Sequence, residues 1–286
     1  MFDARILFQD YVGRLSQLYP KSEAESLVLW LFEEYLGFKK SDLAKEIQFE
    51  NIPENLRGAF AKLLSGKPIQ YILGKAPFYG REFFVDPSVL IPRNETEELV
   101  HWIIQENKST NLRILDIGTG TGCIPISLDL VMRRPRVYGL DISKEALEMA
   151  KKNNTTLGAG VQFIEADILN QAIDLSELDI IVSNPPYVLE SEKGQMHPNV
   201  LDHEPHLALF VANDDALLFY ESIARKAKDA LKIAGKLYFE INESKGVAVS
   251  RLLENLGYSN IEIRKDLNGK DRMVRAMWGG VDNFSR

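Results

Sequence analysis

The stretch RILDIGTGTG, Arg113 to Gly122, decides the fold. It opens with the apolar-rich run RILDI, enough for a buried strand, and then places glycine at every second position through Gly118, Gly120 and Gly122. The apolar segment CIPISLDL follows at once. A strand that runs into such glycines and out into an apolar helix must turn sharply, because glycine takes positive φ without cost and has no Cβ to obstruct a ligand. In dinucleotide sites the spacing is G-x-G-x-x-G, which puts the third glycine at position 123. That position is Cys123, and the third glycine comes one step early. The nicotinamide fingerprint is therefore imperfect, while a nucleoside-binding turn over Gly118, Thr119, Gly120, Thr121 and Gly122 stands.

On either side the chain alternates. From Asn94 a helix runs through Val100 and Ile104, the glycine-turn strand and its helix follow, and RVYGLD makes a second strand ending at Asp141. Further strands are expected at VQFIEAD, LDIIVSN, GKLYFEI, NIEIRK and RMVRAMW. Strand and helix exchanging at this spacing imply βαβ units, hence an α/β, doubly wound, mostly parallel sheet of seven strands. The last two strands are separated by DLNGKD and should form an antiparallel pair at the sheet end. Upstream, residues 1–73 read as a small helical domain with apolar residues at three-and-four spacing. Residues 74–93, GKAPFYGREFFVDPSVLIPR, carry short aromatic and β-branched runs punctuated by Gly80 and prolines, the pattern of a linking β-hairpin. The sheet domain is then 94–286.

Composition bounds the function. The chain has 286 residues, 45% hydrophobic and 26% charged, ordinary for a globular protein, and a net charge of −7. That balance argues against broad attraction to nucleic acid and against free nucleic acid as a partner. No stretch approaches 18 uninterrupted apolar residues, so a cytoplasmic protein without membrane contact is expected. The one cysteine, Cys123, cannot form an internal disulfide or a multi-cysteine metal site, and reads as a small buried apolar residue.

Ligand-facing residues are expected at the carboxyl ends of the strands. Asp141 ends the second strand, where a carboxylate accepts ribose hydroxyls, with Ile142 beside it and Ser143 as N-cap of the next helix. Asp167 ends the third strand, placed to accept from an adenine amino group, with Ile168 as an apolar wall. The fourth strand runs into V-S-N-P-P-Y-V, Val182 to Val188. Two prolines there stiffen the backbone and remove donors. Asn184 and the carbonyl of Pro185 then form a pair of acceptors, and an NH2 group has two donors to offer. Pro186 completes the stiff turn, and Tyr187 is expected as a flat wall for a planar group.

D-I-G-T-G-T-G, the Asp141 strand end and N-P-P-Y together resemble the Rossmann-like class I S-adenosylmethionine-dependent methyltransferases that modify planar amino or amide nitrogens. N-P-P-Y alone is shared with adenine-amino nucleic-acid methyltransferases, the alternative reading. The flanks narrow it: GKPIQYILG from Gly66, FYGREFFVDPSVLIPRNETEELV from Phe78, HEPHLALF from His203 and DLNGKDR from Asp266 closely resemble the release factor glutamine methyltransferases, the PrmC/HemK family. Two departures stand out, Arg93-Asn94-Glu95-Thr96-Glu97 for the usual Arg-Pro-Glu-Thr-Glu, and Glu240-Ile241-Asn242 for Glu-x-Gly.

The resemblance implies a methyltransferase that uses S-adenosylmethionine, releases S-adenosylhomocysteine, and methylates the glutamine of the Gly-Gly-Gln loop of class I peptide-chain release factors, an event of translation termination. The catalytic set is then Asn184, Pro185, Pro186 and Tyr187, with Asn184 also expected against the cofactor. A monomer is expected, and the helical domain, too small and too helical to complete the sheet, is expected to grip the protein substrate. The remaining temptation is MHPNVLDHEPH, Met196 to His206, whose three histidines and Glu204 suggest metal ligands. Without tight helical or cysteine spacing they are expected to shape a loop over the substrate, and no metal is expected.

Overall fold

The structure, a computed structural model, describes residues 2–280. It divides into two compact units, the chain through Lys75 together with His197–His203, and Ala76–Met196 together with the chain from Glu204 on.

The first unit is built from α1 (Ala4–Leu15), α2 (Lys21–Leu36), α3 (Glu54–Leu64) and α4 (Ile69–Leu73). Asp3 caps α1, its Oδ1 accepting from the amides of Arg5 and Ile6, and Gly37 ends α2 in the left-handed region. Leu15, Leu31, Phe32, Leu56 and Leu63 are fully or almost fully buried at the centre, and Tyr11 stacks on Phe60 with ring centroids 3.7 Å apart. The helical pattern is interrupted once. Between α2 and α3 the chain makes a tight turn at Lys40–Ala44 and a two-residue strand, Gln48–Phe49, that pairs antiparallel with Phe2–Asp3.

The strands Lys75–Phe78 and Arg81–Phe84 form a two-stranded sheet across the turn residues Tyr79 and Gly80. Both turn residues have positive φ, 48° and 73°, the twist that two-residue hairpin loops require. Regular pairing stops at Phe84. The following segment, to Arg93, buries Val85, Val89 and Ile91 without forming a strand.

The second unit holds a seven-stranded sheet of β1 (Arg113–Ile117), β2 (Arg136–Asp141), β3 (Gln162–Glu165), β4 (Leu178–Ser183), β5 (Leu231–Glu240), β6 (Tyr258–Lys265) and β7 (Asp271–Trp278). The strand order is β6-β7-β5-β4-β1-β2-β3. Five strands, β5 through β3 in that order, pair in parallel, and β7 is antiparallel to both β5 and β6. The expected doubly wound sheet is therefore present, with its antiparallel insertion at one edge. Strand order reverses between β1 and β4. At such a reversal the crossover helices leave to opposite faces, and a crevice opens at the carboxyl ends of the two strands.

The flanking helices are α5 (Asn94–Glu106), α6 (Cys123–Val131), α7 (Lys144–Leu157), α8 (Leu218–Ala230) and α9 (Gly246–Asn255). Leu99, Val100, Ile126 and Leu128 pack on one face of the sheet, and Ile223, Ala224, Ala227, Val249 and Leu253 on the other. Among the described residues no helix is long and apolar enough to cross a membrane.

Gly122 caps α6 with φ of 78°, and a Cβ there would stand 2.9 Å from Ile126 Cδ1 and 3.2 Å from Ala150 Cβ. Positive φ and close helix packing both demand glycine. Gly122→Ala is expected to cost about 2 kcal/mol of stability, from the left-handed backbone and the displaced neighbours. A urea unfolding midpoint equal to that of the wild type would refute this.

Candidate active site

The crevice at the β1/β4 reversal is a cavity bounded by six chain segments. They are residues 88–90, the turn at Gly118 and Gly120, residues 140–143, residues 166–169, residues 183–186, and Pro205, Leu207 and Ala208. Phe219 and Ile223 of α8 close its floor. Of the residues singled out from the sequence, Gly118, Gly120, Asp141, Ile142, Asp167, Ile168, Asn184, Pro185 and Pro186 meet here. Four do not line the cavity. Thr119 and Thr121 point into the protein and are almost fully buried, Gly122 packs against α7, and Tyr187 turns away.

The glycine turn and Asp141 are fastened to each other. Asp141 Oδ2 accepts from the amide of Gly120 at 2.8 Å, and its Oδ1 accepts from the amide of Ser143 at 3.0 Å. The same carboxylate thus fixes the turn after β1 and the entry of α7, and it remains at the cavity wall. Burial pushes its pKa up against the pull of those backbone donors. Each carboxylate oxygen has a second lone pair for a ligand. Asp167 is held differently. Its Oδ1 accepts from the amide of Leu169 and its Oδ2 from Asn170 Nδ2, which tie the carboxylate to its own turn and hold its pKa down, the Asn170 bond foremost.

Asp116, at the end of β1, is fully buried, and neither carboxylate oxygen has a hydrogen-bond partner. Desolvation raises its pKa to about 7; the neighbouring Asp141 charge pushes the same way, while Thr119 opposes. With the folded pKa above the unfolded one, the stabilising proton is fully in place below about pH 4 and is lost as pH rises through about 7. Asp116→Asn should therefore gain stability relative to the wild type between pH 5 and pH 8. Parallel urea midpoints for the two proteins across that range would show this mechanism to be wrong.

Asn184 stands at the carboxyl end of β4 and is oriented from behind. Its Nδ2 donates to Thr96 Oγ1 at 3.2 Å, and Thr96 Oγ1 donates to Glu240 Oε2 at 2.6 Å. With Thr96 committing its proton to a carboxylate, its oxygen can only accept from Asn184, so the amide must present Nδ2 inward. Oδ1 is then the end left for the cavity.

Tyr187, expected as a wall, instead donates its hydroxyl to Glu240 Oε1 at 3.3 Å and packs its ring against the core beside α8. The reason is chemical. A buried carboxylate needs donors more than the cavity needs another flat surface, and Tyr187 lies within reach of it. Burial first, then the Glu240 charge, drives its own pKa up.

Thr96 and Glu240 were not singled out from the sequence, although both fall within the two departures from the family pattern. The signal available was a carboxylate at the end of an apolar central strand, KLYFE. The loop that carries Glu204 was expected over the site, but its pairing with Arg93 was not foreseen. Glu204, 4% exposed, pairs with Arg93 at 2.6 Å and accepts from the amide of Ile91 at 3.2 Å, joining the loop at 204–208 to the segment at 88–93. Two of the three histidines in the histidine-rich stretch are engaged in packing: His197 stacks on Tyr19, and His206 meets Phe210 edge-on. Among the described residues no three metal-ligating side chains come together. Cys123 is buried, with its thiol pKa pushed up to about 12 by desolvation.

Known proteins resemble this chain in sequence and in fold. A family model described as a methyltransferase domain matches residues 108–265. A protein of Pyrococcus furiosus described as a methyltransferase, 18% identical, superposes with a TM-score of 0.52 over 77% of this chain and 98% of its own, which shows the shared fold. Among curated proteins, the release factor glutamine methyltransferase of Flavobacterium psychrophilum is 44% identical over 93% of this chain and 95% of its own. That of Bacteroides thetaiotaomicron is 45% identical over 92% and 95%, and that of Enterococcus faecalis 41% over 86% and 90%. With identity of this order spanning nearly the whole length, the chain belongs to the release factor glutamine methyltransferase family.

Proposed function

We propose that the protein transfers a methyl group from S-adenosylmethionine to the side-chain amide nitrogen of the Gly-Gly-Gln glutamine in class I peptide-chain release factors, with S-adenosylhomocysteine as the other product. The observation that carries this reading is the fixed amide of Asn184, whose Oδ1 is left as an acceptor beside the glycine turn. The names of the relatives point to the same substrate. The helical unit is assigned to gripping the release factor, and a translation factor as substrate places the enzyme in the cytoplasm.

The residues present fit the cofactor. Gly118 and Gly120 line the cavity at positive φ, and no atom lies within 4 Å of where a Cβ would stand at either, so the turn is an open cradle. Asp141 puts a carboxylate at the strand end beside it, suited to a ligand that carries vicinal hydroxyls. In this assignment Asp141 takes the ribose hydroxyls, Leu140, Ile142 and Ile168 enclose the adenine, and Asp167 stands at its amino edge. When bound, the cofactor supplies an electrophilic methyl group on a sulfonium.

The chain's own residues do the rest. An amide nitrogen is a poor nucleophile because its lone pair is shared with the carbonyl. Asn184 Oδ1 and the Pro185 carbonyl accept the two N–H bonds of the substrate amide, which orients the nitrogen and favours positive charge developing on it. The stiff Pro185-Pro186 turn keeps the two acceptors from relaxing toward each other. As the new N–C bond forms, one N–H proton leaves to solvent, and the amide is restored with one methyl in place of one hydrogen.

The test is mass spectrometry of a release factor incubated with the protein and cofactor. A single added methyl should map to the glutamine of the Gly-Gly-Gln loop and vanish when that glutamine is alanine. A methyl elsewhere on the protein, or only on DNA, would overturn the assignment.

A further inference from the structure

Behind the cavity runs a chain of three side chains from three elements: Asn184 after β4, Thr96 in the first turn of α5, and Glu240 at the end of β5. We infer that Thr96 and Glu240 are positioning residues that set which end of the Asn184 amide faces the substrate, so that the enzyme offers an acceptor only while Glu240 is ionised. This rests on the proposed function, in which Asn184 receives an N–H of the substrate amide.

The geometry fixes the direction of each bond. An ionised Glu240 has no proton, so the 2.6 Å contact with Thr96 must be a donation from the threonine hydroxyl. That hydroxyl has one proton. Its remaining interaction, the 3.2 Å contact with Asn184, must then be an acceptance from Nδ2, and Oδ1 faces the cavity. A proton on Glu240 Oε2 reverses the first bond and releases the threonine proton. Thr96 is then free to donate to Asn184, which draws Oδ1 inward and turns Nδ2 toward the substrate. Two NH2 groups facing each other cannot hydrogen-bond, so the substrate nitrogen loses one of its two holders.

Glu240 is placed to make that transition. It is 1% exposed and shares its site with few compensating groups. Arg272 of β7, whose Nε pairs with Asp266, favours the charge from one side. Thr96 of α5 and Tyr187 after β4 donate to it, while Glu95 of α5 opposes it. From α8, the Tyr220 hydroxyl bonds its backbone carbonyl, and from α6 the Cys123 thiol faces it in its neutral form. Desolvation outweighs the donors and raises the pKa of Glu240 to about 7. The carboxylate therefore changes charge near neutral pH, with the acceptor-presenting state above that value and the reversed state below it.

The experiment reads the amide directly in the cofactor-free protein. With asparagine side chains 15N-labelled, the Asn184 NH2 resonance, identified by its loss in Asn184→Asp, should shift with pH about a midpoint near 7. The shift should disappear in Glu240→Gln, which has no ionisable group, and in Thr96→Val, which keeps the shape of threonine but cannot transmit the change. Thr96→Ser, which restores a hydroxyl, should recover it. In the transfer assay Thr96→Val should lower kcat about tenfold with unchanged cofactor affinity, and Thr96→Ser should recover most of that loss. A resonance that does not titrate in the wild type, or that titrates equally in Thr96→Val, would overturn the relay. Absence of methyl transfer to release factor at any pH would instead overturn the functional reading, and the resonance titration is scored independently of it.

Discussion

Asn184→Ala is expected to lower kcat for glutamine methylation at least about a hundredfold, the usual cost of removing one preorganised polar contact at the reacting group. The substitution removes the acceptor Oδ1 and leaves the substrate nitrogen held by the Pro185 carbonyl alone. A nitrogen free to rotate about one contact spends little of its time aligned with the methyl it must attack. Cofactor affinity should fall by severalfold at most, because Asp141 and the Gly118–Gly120 cradle lie on other strand ends and are untouched. Thr96 and Glu240 keep their bond to each other, so the core should hold. The measurement is single-turnover transfer to a release factor together with calorimetric titration of the cofactor. A near-normal rate would show that the substrate amide is held by other groups, and a loss confined to cofactor affinity would move Asn184 from the substrate to the cofactor.

How much of this was readable in advance differs between the two halves of the site. The cofactor half follows from local sequence. A strand, a glycine turn and a carboxylate at the next strand end are contiguous patterns, and the rule that parallel sheets bind at their carboxyl edge brings Asp141, Ile168 and Asn184 together without knowledge of side-chain contacts. Which residue of a turn faces the ligand is a finer matter. In G-T-G-T-G the glycines at 118 and 120 open to the cavity, while the threonines point inward and Gly122 is consumed by helix packing, and the spacing alone treats all five alike.

The substrate half was legible only as a pair of acceptors. What orients them depends on contacts between residues 88 and 144 positions apart, Asn184 with Thr96 and Thr96 with Glu240, and such contacts leave no periodic trace in a chain. Tyr187 was misplaced for the same reason. Its partner is a buried carboxylate from another strand, and a buried charge recruits whichever donor lies near it. The segment at 88–91 could have been found. Val85, Val89 and Ile91 recur at odd positions through VDPSVLI, a half-buried alternating pattern that the turn at Pro87 keeps from being a strand.

Asp141→Ala is expected to weaken binding of S-adenosylmethionine by about 3 kcal/mol, a little over a hundredfold in Kd. Two losses combine. The charge-assisted bonds to the ribose hydroxyls go, and so does the anchor of the glycine turn, since Asp141 Oδ2 holds the Gly120 amide and Oδ1 the Ser143 amide. Asp141→Asn separates them, because its side-chain oxygen can keep one backbone donor while the charge is removed; it should fall between the wild type and the alanine variant. Ser143 remains an N-cap for α7 through its own hydroxyl, which accepts from the Ala146 amide at 3.1 Å, so the helix should survive either change. Once cofactor is saturating, kcat for Asp141→Ala should approach that of the wild type, because nothing Asp141 touches bears on the substrate nitrogen. An alanine variant that unfolds with the wild-type midpoint and binds cofactor with unchanged Kd would reduce Asp141 to a brace for the turn and leave the ribose without its assigned partner.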